Sequence, residues 1–477
     1  MKRIIVTILF FIIGAGRLLG QDNRAVLTLD AVIAKAKSQS IAAKIAQSEK
    51  ENKYYQFLTY KAGLRPQLAL DGNLPNYSKD VFGVVQPDGS LIFQRRSQNN
   101  SALGLSLSQQ IAATGGTLAI NSNLNRFDDF DRSVKQYSGI PVSISLIQPL
   151  FAFNKNKWDK KIEPMKYEEA EKEYTKEGED IASQTVKLYF NVLDAQADLE
   201  LAKKNLESGR VIFDIENKRI ELGTTTKDKI LQIKLQLLKS TQDLSNSEVN
   251  LKTSLFNLKS FIGLNDLNII GLTVPDILPP VNISVEKAIS SARKNRAEFV
   301  GYLRRKLEAE RDLDLAKKER FAVNLAATYG YSNIGNTLTS VYVRPNSQQT
   351  ISIDLQLPIL DWGRNKGKIS VANSNLRTVT YTIEQEEIIF VQEITNLVEN
   401  LKLIATNITI ARQADEIAQE RYELNNEQFR FGKITVTDLN ISLSEKDLAK
   451  RAYVTALRTF WESYYQLRVL TLANLNG

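Results

Sequence analysis

The amino-acid sequence predicts an α+β fold built from two similar halves, each of which couples β-strands to one very long helix. Pro149 lies 74 residues before Gly223, and Pro358 lies 74 residues before Gly432. An alternating apolar and polar stretch precedes each proline, and a helix-forming stretch follows it. We therefore interpret the chain as an internal duplication.

The composition excludes most enzyme chemistries. The 477 residues include no cysteine and no histidine, which excludes thiol nucleophiles, histidine general bases, Cys/His zinc sites and disulfides. The carboxylate pair Glu168-Glu169 lies in a helical stretch with ordinary surface spacing, and no phosphate-binding loop accompanies it. We therefore predict that the protein is not an enzyme and has no catalytic residue, no cofactor and no metal site.

The N-terminus has the order of a secretory signal. Lys2 and Arg3 precede an apolar run over 4–13, and small residues follow up to Gly20. The apolar run is too short to span a bilayer comfortably, although a retained membrane anchor is the alternative. No cysteine follows, which excludes a lipoprotein anchor. We predict a signal peptide at 1–20.

The charge of the chain does not indicate nucleic-acid binding. Cleavage after Gly20 would remove Lys2, Arg3 and Arg17 and no acid, so the formal charge would fall from +8 to +5. The basic and acidic residues interleave along helical stretches, which is typical of a solvated helix surface, so nucleic acid is not an expected partner. No later run resembles a transmembrane helix, so a secreted chain of this kind would reach a membrane through β-strands.

Long helices joined by tight turns dominate both halves. Each stretch between a proline and its glycine is long enough for a helix of about 100 Å. A second helical stretch returns after each glycine, and Leu231, Leu235 and Leu238 have the spacing of a coiled-coil seam. We predict two helical hairpins with the glycines at their tips. The four predicted helices cover 154–221, 227–261, 368–431 and 438–473.

Alternating stretches predict the β-strands. Leu103, Leu105 and Leu107, for example, alternate with Gly104 and Ser106. Apolar-out and polar-in strands suit a membrane barrel, and they suit a soluble half-buried sheet equally well. The predicted strands cover 67–76, 102–110, 117–125, 141–151, 322–332 and 350–360. The predicted loops cover 77–100, 126–139 and 333–349.

One feature of the first half has no counterpart in the second. Ala113-Thr114-Gly115-Gly116 is a turn signal between two predicted strands. We interpret it as the turn of an extra hairpin that was inserted after the duplication.

The N-terminal pieces of the two halves also correspond. Thr28 and Ser284 are each the predicted N-cap of a helix that leads to the first strand of its half. The proline-containing segment 263–282 is the predicted joint. We therefore place the first repeat at 21–282 and the second repeat at 283–477.

Several short motifs lie at fixed places in this layout. They are Gln148-Pro149-Leu150-Phe151 at a strand-to-helix junction, Tyr189-Phe190-Asn191-Val192-Leu193 within the long helix, Leu222-Gly223 at the first tip, and Phe429-Arg430-Phe431-Gly432 followed by Asp438-Leu439 at the second. Each motif is weak by itself, but their order, duplication and spacing are specific together. In these features the chain resembles the TolC family of outer-membrane efflux channels over nearly all of its mature length.

The resemblance implies an α+β membrane protein in which duplicated strand and long-helix repeats form a trimeric β-barrel continued by an α-helical barrel. The β-barrel would lie in the outer membrane of a Gram-negative cell, with the helical part in the periplasm. Closure across a homotrimer also solves a physical problem, because four to six strands cannot close a barrel and open edges are not tolerated in lipid. Four strands per chain would give twelve in the trimer and six would give eighteen, and twelve is the expectation.

The implied function is a passive export duct. It would carry substrates from an inner-membrane transporter and a periplasmic adaptor across the periplasm and the outer membrane, with the transporter supplying the energy. Its partners would be two further copies of the chain, the adaptor, the transporter and outer-membrane lipid. The alternative is a periplasmic coiled-coil adaptor or scaffold, which would share the long hairpins but needs no paired amphipathic strands.

In TolC-like channels the helical tips meet the adaptor. The residues that match by position are Leu222, Gly223 and Thr224 in the first repeat and Phe431, Gly432 and Lys433 in the second. A glycine at the apex of a helical hairpin is also what a left-handed turn requires, so the glycines have a structural interpretation as well.

The same family places an acidic ring at the entrance, and Asp438, six residues after Gly432, stands at that position. Three carboxylates around a threefold axis would form a negative constriction that concentrates cations. The alternative is that Asp438 or Thr437 only caps the return helix.

The entrance also departs from the TolC pattern. Ile441 stands where that pattern has a second acid, Ile434 where it has an arginine, and Phe429 where it has a tyrosine. The matching Thr-Asp pair of the first repeat is Asp228-Lys229. The links that latch the TolC entrance therefore cannot form in the same way. We expect one Asp ring with apolar neighbours, in which Asp228 or Lys229 makes substitute links.

Overall fold

The computed structural model describes residues 26–264, 271–280, 283–473 and 475. The signal peptide predicted at 1–20 lies outside these residues, and the predicted joint at 263–282 is described only in part. The repeat borders, 21–282 and 283–477, remain predictions.

The described elements pass twice from short helices through strands to a helical hairpin. Before the gap at 265–270 these are β1 (Val26–Leu27), α1 (Leu29–Gln39), α2 (Ile41–Gly63), β2 (Gln67–Asn73), β3 (Tyr77–Val85), β4 (Leu91–Ile111), β5 (Gly116–Asp129), β6 (Val134–Leu150), α3 (Lys155–Glu221) and α4 (Lys227–Ile262). After the gap they are β7 (Gly271–Leu272), α5 (Val285–Asn295), α6 (Ala297–Lys318), β8 (Ala322–Gly335), a 3₁₀ helix (Thr339–Val341), β9 (Asn346–Gln356), α7 (Arg364–Arg430) and α8 (Val436–Thr471).

The two helical hairpins have matching lengths, as the 74-residue interval predicts. The long helices α3 and α7 each contain 67 residues, and the return helices α4 and α8 each contain 36. A helix of that longer length rises by about 100 Å. The two tips therefore lie at equal helical distances from the strands. Among the helices that the structure describes, none is both long enough and apolar enough to cross a membrane.

The main hydrophobic core lies near the middle of the long helices. Tyr189 and Phe190 of α3 are buried there together with Phe460 of α8. The Tyr189 hydroxyl lies 3.1 Å from the carbonyl oxygen of Leu27 and 2.5 Å from that of Thr273, so it also fixes the strands β1 and β7 against α3. The motif that begins at Tyr189 is therefore a packing element.

The strands that the structure describes form two sheets. β1 and β7 make a parallel pair. The other seven strands form one antiparallel sheet in the order β2, β4, β5, β6, β8, β9, in which β3 pairs with the first half of β4. The six predicted strands are all present, and the predicted extra hairpin, β4 and β5, lies inside this sheet. β9 forms one edge of the sheet, and β2 forms the other together with β3, because both pair only with β4.

The predicted loop at 77–100 is wrong. This stretch forms β3 and the first half of β4, which pair with each other along the full length of β3. Gly89, with φ +83°, occupies the turn between them. The stretch has a polar overall composition, but it contains a turn signal, Asp88-Gly89, between two short apolar runs. The backbone pairing that this turn allows determines its secondary structure more than its composition does.

The other two predicted loops are also shorter than expected. β5 extends to Asp129 and β6 begins at Val134, which leaves only a tight turn of the predicted loop at 126–139. The predicted loop at 333–349 contains the end of β8, the 3₁₀ helix and the start of β9. Long strands therefore continue beyond the apolar positions that suggested them.

The predicted N-caps of the short helices are confirmed. The Thr28 side chain accepts a hydrogen bond from the amide of Ala31 at 3.4 Å, at the start of α1. The Ser284 side chain accepts one from the amide of Lys287 at 3.2 Å, at the start of α5. Both caps satisfy amide groups that a helix leaves unpaired in its first turn.

Candidate functional site

The two helical hairpins end in the same kind of turn. Gly223 and Gly432 have φ values of +73° and +71°, in the left-handed region that favours glycine. At the first tip the amide of Thr224 donates to the carbonyl of Arg219, and the amide of Gly223 donates to that of Ile220, both at 2.9 Å. The second tip repeats both bonds at the same distance. This Schellman pattern requires the glycines for backbone geometry.

A large apolar side chain stands in solvent at each apex. Leu222 is 77% exposed and Phe431 is 78% exposed. Thr224 and Lys433, on the far side of each glycine, are exposed as well. Each tip therefore presents one large apolar side chain beside a polar one.

A second, smaller core joins the two hairpins behind the tips, and we call it the tip core. Its buried members are Ile212, Ile233, Tyr422, Phe429, Val436 and Leu439. Phe429, a predicted entrance residue, is only 1% exposed, so its ring lies inside the tip core and not at a surface. Ile434 packs against the same core, whereas Ile441 is exposed.

One arginine connects the end of α3 to the end of α7. The Arg219 guanidinium donates to the carbonyl oxygen of Phe429 at 2.9 Å and to the carboxylate of Glu216 at 2.6 Å. It also lies over the Phe429 ring, 5.0 Å from the centroid, as a cation–π contact. Because Glu216 is only 2% exposed, Arg219 neutralises a buried charge. We call Glu216, Arg219 and Phe429 the tip bridge.

Sequence reasoning missed the tip bridge. Its only local signal is the three-residue spacing of Glu216 and Arg219, just before Leu222. Such pairs are common on helix surfaces and stabilise a helix only slightly. The fold is needed to show that Phe429 lies opposite this pair.

Asp438 takes part in a capping box at the start of α8. Its Oδ2 accepts hydrogen bonds from the Thr435 amide at 3.0 Å and from the Thr435 hydroxyl at 2.7 Å, while its own amide donates to that hydroxyl at 3.2 Å. These bonds hold the pKa of Asp438 below its usual value. The N-cap residue is Thr435 and not Thr437, and the Asp438 side chain remains exposed.

The matching turn of the first repeat has no capping box. Thr226 is the N-cap of α4 and makes no side-chain capping bond. Lys229, which stands six residues after Gly223 as Asp438 stands six after Gly432, cannot accept an amide hydrogen. Asp228 and Lys229 are both exposed. In the described part of the chain, neither of them makes a hydrogen bond or an ion pair to the second hairpin. Arg219 makes the connection between the two hairpins instead.

The sequence matches a known protein family along most of its length. The profile of the family described as outer membrane efflux protein matches residues 32–264 and 288–471. The chain belongs to this family. The resemblance to the TolC family that the motifs indicate is thereby confirmed, and the chain is an outer-membrane efflux protein. The alternative of a periplasmic adaptor or scaffold is not favoured.

Solved outer-membrane channels share the fold. The CmeC outer membrane channel of Campylobacter jejuni matches with a TM-score of 0.67 at 16% identity, over 93% of this efflux protein and 85% of that chain. The outer membrane protein VceC of Vibrio cholerae matches with a TM-score of 0.64 at 14% identity, over 94% and 96% of the two chains. In sequence, nodulation protein T of Rhizobium leguminosarum bv. viciae is 19% identical over 292 residues, which are 60% of this chain and 59% of the length of that relative.

Proposed function

We propose that three copies of the chain form a passive export duct in the outer membrane. The observation that carries the proposal is a sheet with two open edges, β2 and β9, in the same chain as two helical hairpins of equal length. Unpaired edges are not tolerated in lipid, and six strands are too few to close on themselves, so neighbouring copies have to pair edge to edge. Membership of the efflux family supports the outer membrane as the location.

The helical hairpins extend this duct into the periplasm. Leu231, Leu235 and Leu238 of α4 have coiled-coil spacing and are exposed in the single chain. An exposed seam of this kind requires a partner helix, and a neighbouring copy would supply one. Three copies would therefore surround the duct with packed hairpins about 100 Å long.

The tips are the proposed meeting place with a periplasmic adaptor. In a trimer the three copies of Leu222 and the three copies of Phe431 would form one ring of exposed apolar side chains at the end of the duct. Aromatic residues such as Phe431 are enriched at protein interfaces, where a few buried anchors contribute most of the affinity. The energy for export would come from an inner-membrane transporter that the adaptor connects to the duct.

The proposed acidic ring at the entrance consists of the three copies of Asp438 in the trimer. Its capping role does not prevent this, because both Thr435 bonds use Oδ2 of an exposed carboxylate. Mutual repulsion of three carboxylates would raise the pKa of each one. The Thr435 hydrogen bonds act in the opposite direction, so the cap favours a charged ring at neutral pH.

Planar-bilayer recording of Asp438→Asn tests both the duct and the ring. The asparagine oxygen can still accept the Thr435 bonds, so the substitution removes the charge and keeps most of the cap. We expect wild-type channels to prefer cations and to be blocked by multivalent cations, and the variant to lose most of both properties. Because the Thr435 hydrogen bonds lower the pKa of Asp438 and so oppose the repulsion within the ring, the cation selectivity of the wild type should be present at neutral pH.

The control for this experiment is Glu420→Gln. Glu420 is an exposed acid on α7, about three helical turns before the tip, and its substitution should alter neither property. Unchanged selectivity and block in Asp438→Asn would contradict the acidic ring. A wild-type protein that forms no channels at all would contradict the duct.

A further inference from the structure

We propose that the inserted hairpin, β4 and β5, crosses the outer membrane as two additional barrel strands in every copy, so that three copies close an eighteen-stranded barrel with lipid against its apolar face. This inference rests on the proposed trimeric duct. It replaces the expectation of twelve strands, which treats the hairpin as an insertion outside the barrel. The position of the hairpin in the sheet, its two faces and the anchoring of its turn support the proposal.

The hairpin occupies an interior position in the sheet. β4 pairs with β2 over 102–108 on one side and with β5 over 98–111 on the other. β5 continues the sheet by pairing with β6. With 21 and 14 residues, β4 and β5 exceed the roughly 9–11 residues that a tilted strand needs to cross a bilayer. Removing them would separate β2 from β6.

One face of the sheet is apolar across the hairpin as well as across the strands beside it. A row of directly opposed residues runs over five strands, and it consists of Leu68, Leu107, Ile120, Ile144 and Tyr329. All five side chains are exposed in the single chain. A parallel row consists of Leu118, Leu146, Ala327 and Ile351. A lipid-facing surface explains why hairpin and neighbouring strands share one apolar face.

The opposite face is polar, and its hydrogen bonds also run through the hairpin. The Ser106 hydroxyl donates to Oδ1 of Asn121 at 2.8 Å, and Nδ2 of Asn121 donates to the Ser145 hydroxyl at 3.0 Å. These three side chains belong to β4, β5 and β6. A polar face of this kind suits the water-filled interior of a barrel.

The turn of the hairpin is fixed at the level where strands become helices. Nδ2 of Asn154, the N-cap of α3, lies 3.1 Å from the carbonyl oxygens of both Ala112 and Ala113. The Thr114 hydroxyl donates to Oε1 of Gln148 at 2.8 Å, and Nε2 of Gln148 lies 3.1 Å from the Thr114 carbonyl oxygen. A Cβ atom at Gly116 would collide with the Gln148 side chain. The turn of the hairpin therefore lies at the junction where β6 ends and α3 follows.

Six strands per chain also satisfy the geometry of closure. Neighbours in the sheet alternate in direction, so β2 and β9 run in opposite directions and can pair in antiparallel fashion with the edges of neighbouring copies. Barrel diameter grows roughly linearly with strand number, so eighteen strands give about one and a half times the diameter of twelve. A barrel of this width would leave the helical entrance as the narrow part of the duct.

Single-cysteine labelling tests the inference, because the native chain contains no cysteine. Leu105→Cys and Ser106→Cys probe the two faces of β4. Ile353→Cys and Ser352→Cys are matched controls on β9, a strand whose place in the barrel does not depend on the hairpin. In outer-membrane vesicles, a charged methanethiosulfonate reagent should modify the two serine-derived cysteines. A fluorophore coupled to either of the other two cysteines should be quenched by nitroxide-labelled lipids.

The outcomes separate the inference from the proposed function. If the β9 pair shows this alternation and Leu105→Cys reacts with the charged reagent as fast as Ser106→Cys does, the hairpin lies outside the barrel and the inference is wrong. If the β9 pair does not alternate either, the trimeric duct is wrong as well. Alternation in both pairs, with lipid quenching at Leu105→Cys, is the expected result.

Discussion

Arg219→Ala should increase the single-channel conductance of the reconstituted duct severalfold. The substitution removes the bond from α3 to the carbonyl of Phe429 and leaves the buried Glu216 carboxylate without its arginine. A buried polar group without its partner costs about 1–3 kcal/mol, and about 1.4 kcal/mol changes an equilibrium tenfold. The arrangement in which the two hairpin tips are held together should therefore lose about a factor of ten in population relative to an opened one.

The matched control is Gln428→Ala. Gln428 stands four residues before Gly432, as Arg219 stands four before Gly223, and it is exposed. The single-channel conductance of Gln428→Ala should equal that of the wild type. Normal assembly and wild-type conductance of Arg219→Ala would show that the tip bridge does not hold the entrance closed. An increase in the conductance of Gln428→Ala as large as that of Arg219→Ala would show the same.

Phe431→Asp should abolish coupling to the adaptor while leaving the duct assembled. Phe431 is 78% exposed, so the new charge costs little in the isolated protein. In a complex the same charge would be buried in an apolar contact, and loss of an interface hot spot costs at least about 2 kcal/mol, or more than tenfold in affinity. We expect a corresponding loss of adaptor recovered with the duct from detergent-solubilised membranes, measured by quantitative mass spectrometry.

Ile277→Asp is the control for this substitution. Ile277 is 90% exposed and lies in the segment between the two halves, away from the tips. Adaptor recovery should be unaffected by this change. Equal recovery from wild type, Phe431→Asp and Leu222→Asp would show that the apexes do not bind the adaptor.

The helical part of the fold is predictable from sequence because its signals are local. Glycine in a left-handed turn and the absence of Gly and Pro over 368–430 define most of α7 and its tip, and the same interval recurs in the other repeat. The capping box at Asp438 is local as well, and the sequence left its two roles open. The apolar alternation of β4 predicts the strand itself.

The features that could not be predicted depend on contacts between distant segments. β3 begins with the polar run Ser78-Lys79-Asp80, and it forms because β4 supplies its backbone partners along its full length. The position of the extra hairpin inside the sheet depends on pairing β4 with β2 and β5 with β6. The tip bridge depends on the contact between Arg219 and Phe429, which are 210 residues apart.

Cross-linking between the two edges of the sheet tests the trimeric duct most directly. Leu70 in β2 and Ile353 in β9 lie on exposed positions at opposite edges of one chain. Closure with neighbouring copies would bring the two edges within the roughly 4–7 Å between Cα atoms that a disulfide needs. Leu70→Cys, combined in turn with Ile351→Cys, Ile353→Cys or Leu355→Cys, covers the possible registers.

Oxidation of these double variants in isolated outer membranes should yield covalent dimers and trimers and no larger species for at least one combination. Each single variant should remain monomeric on denaturing gels. Monomers from every combination, a ladder that continues beyond trimers, or recovery of the chain in the periplasmic fraction would contradict the trimeric outer-membrane duct.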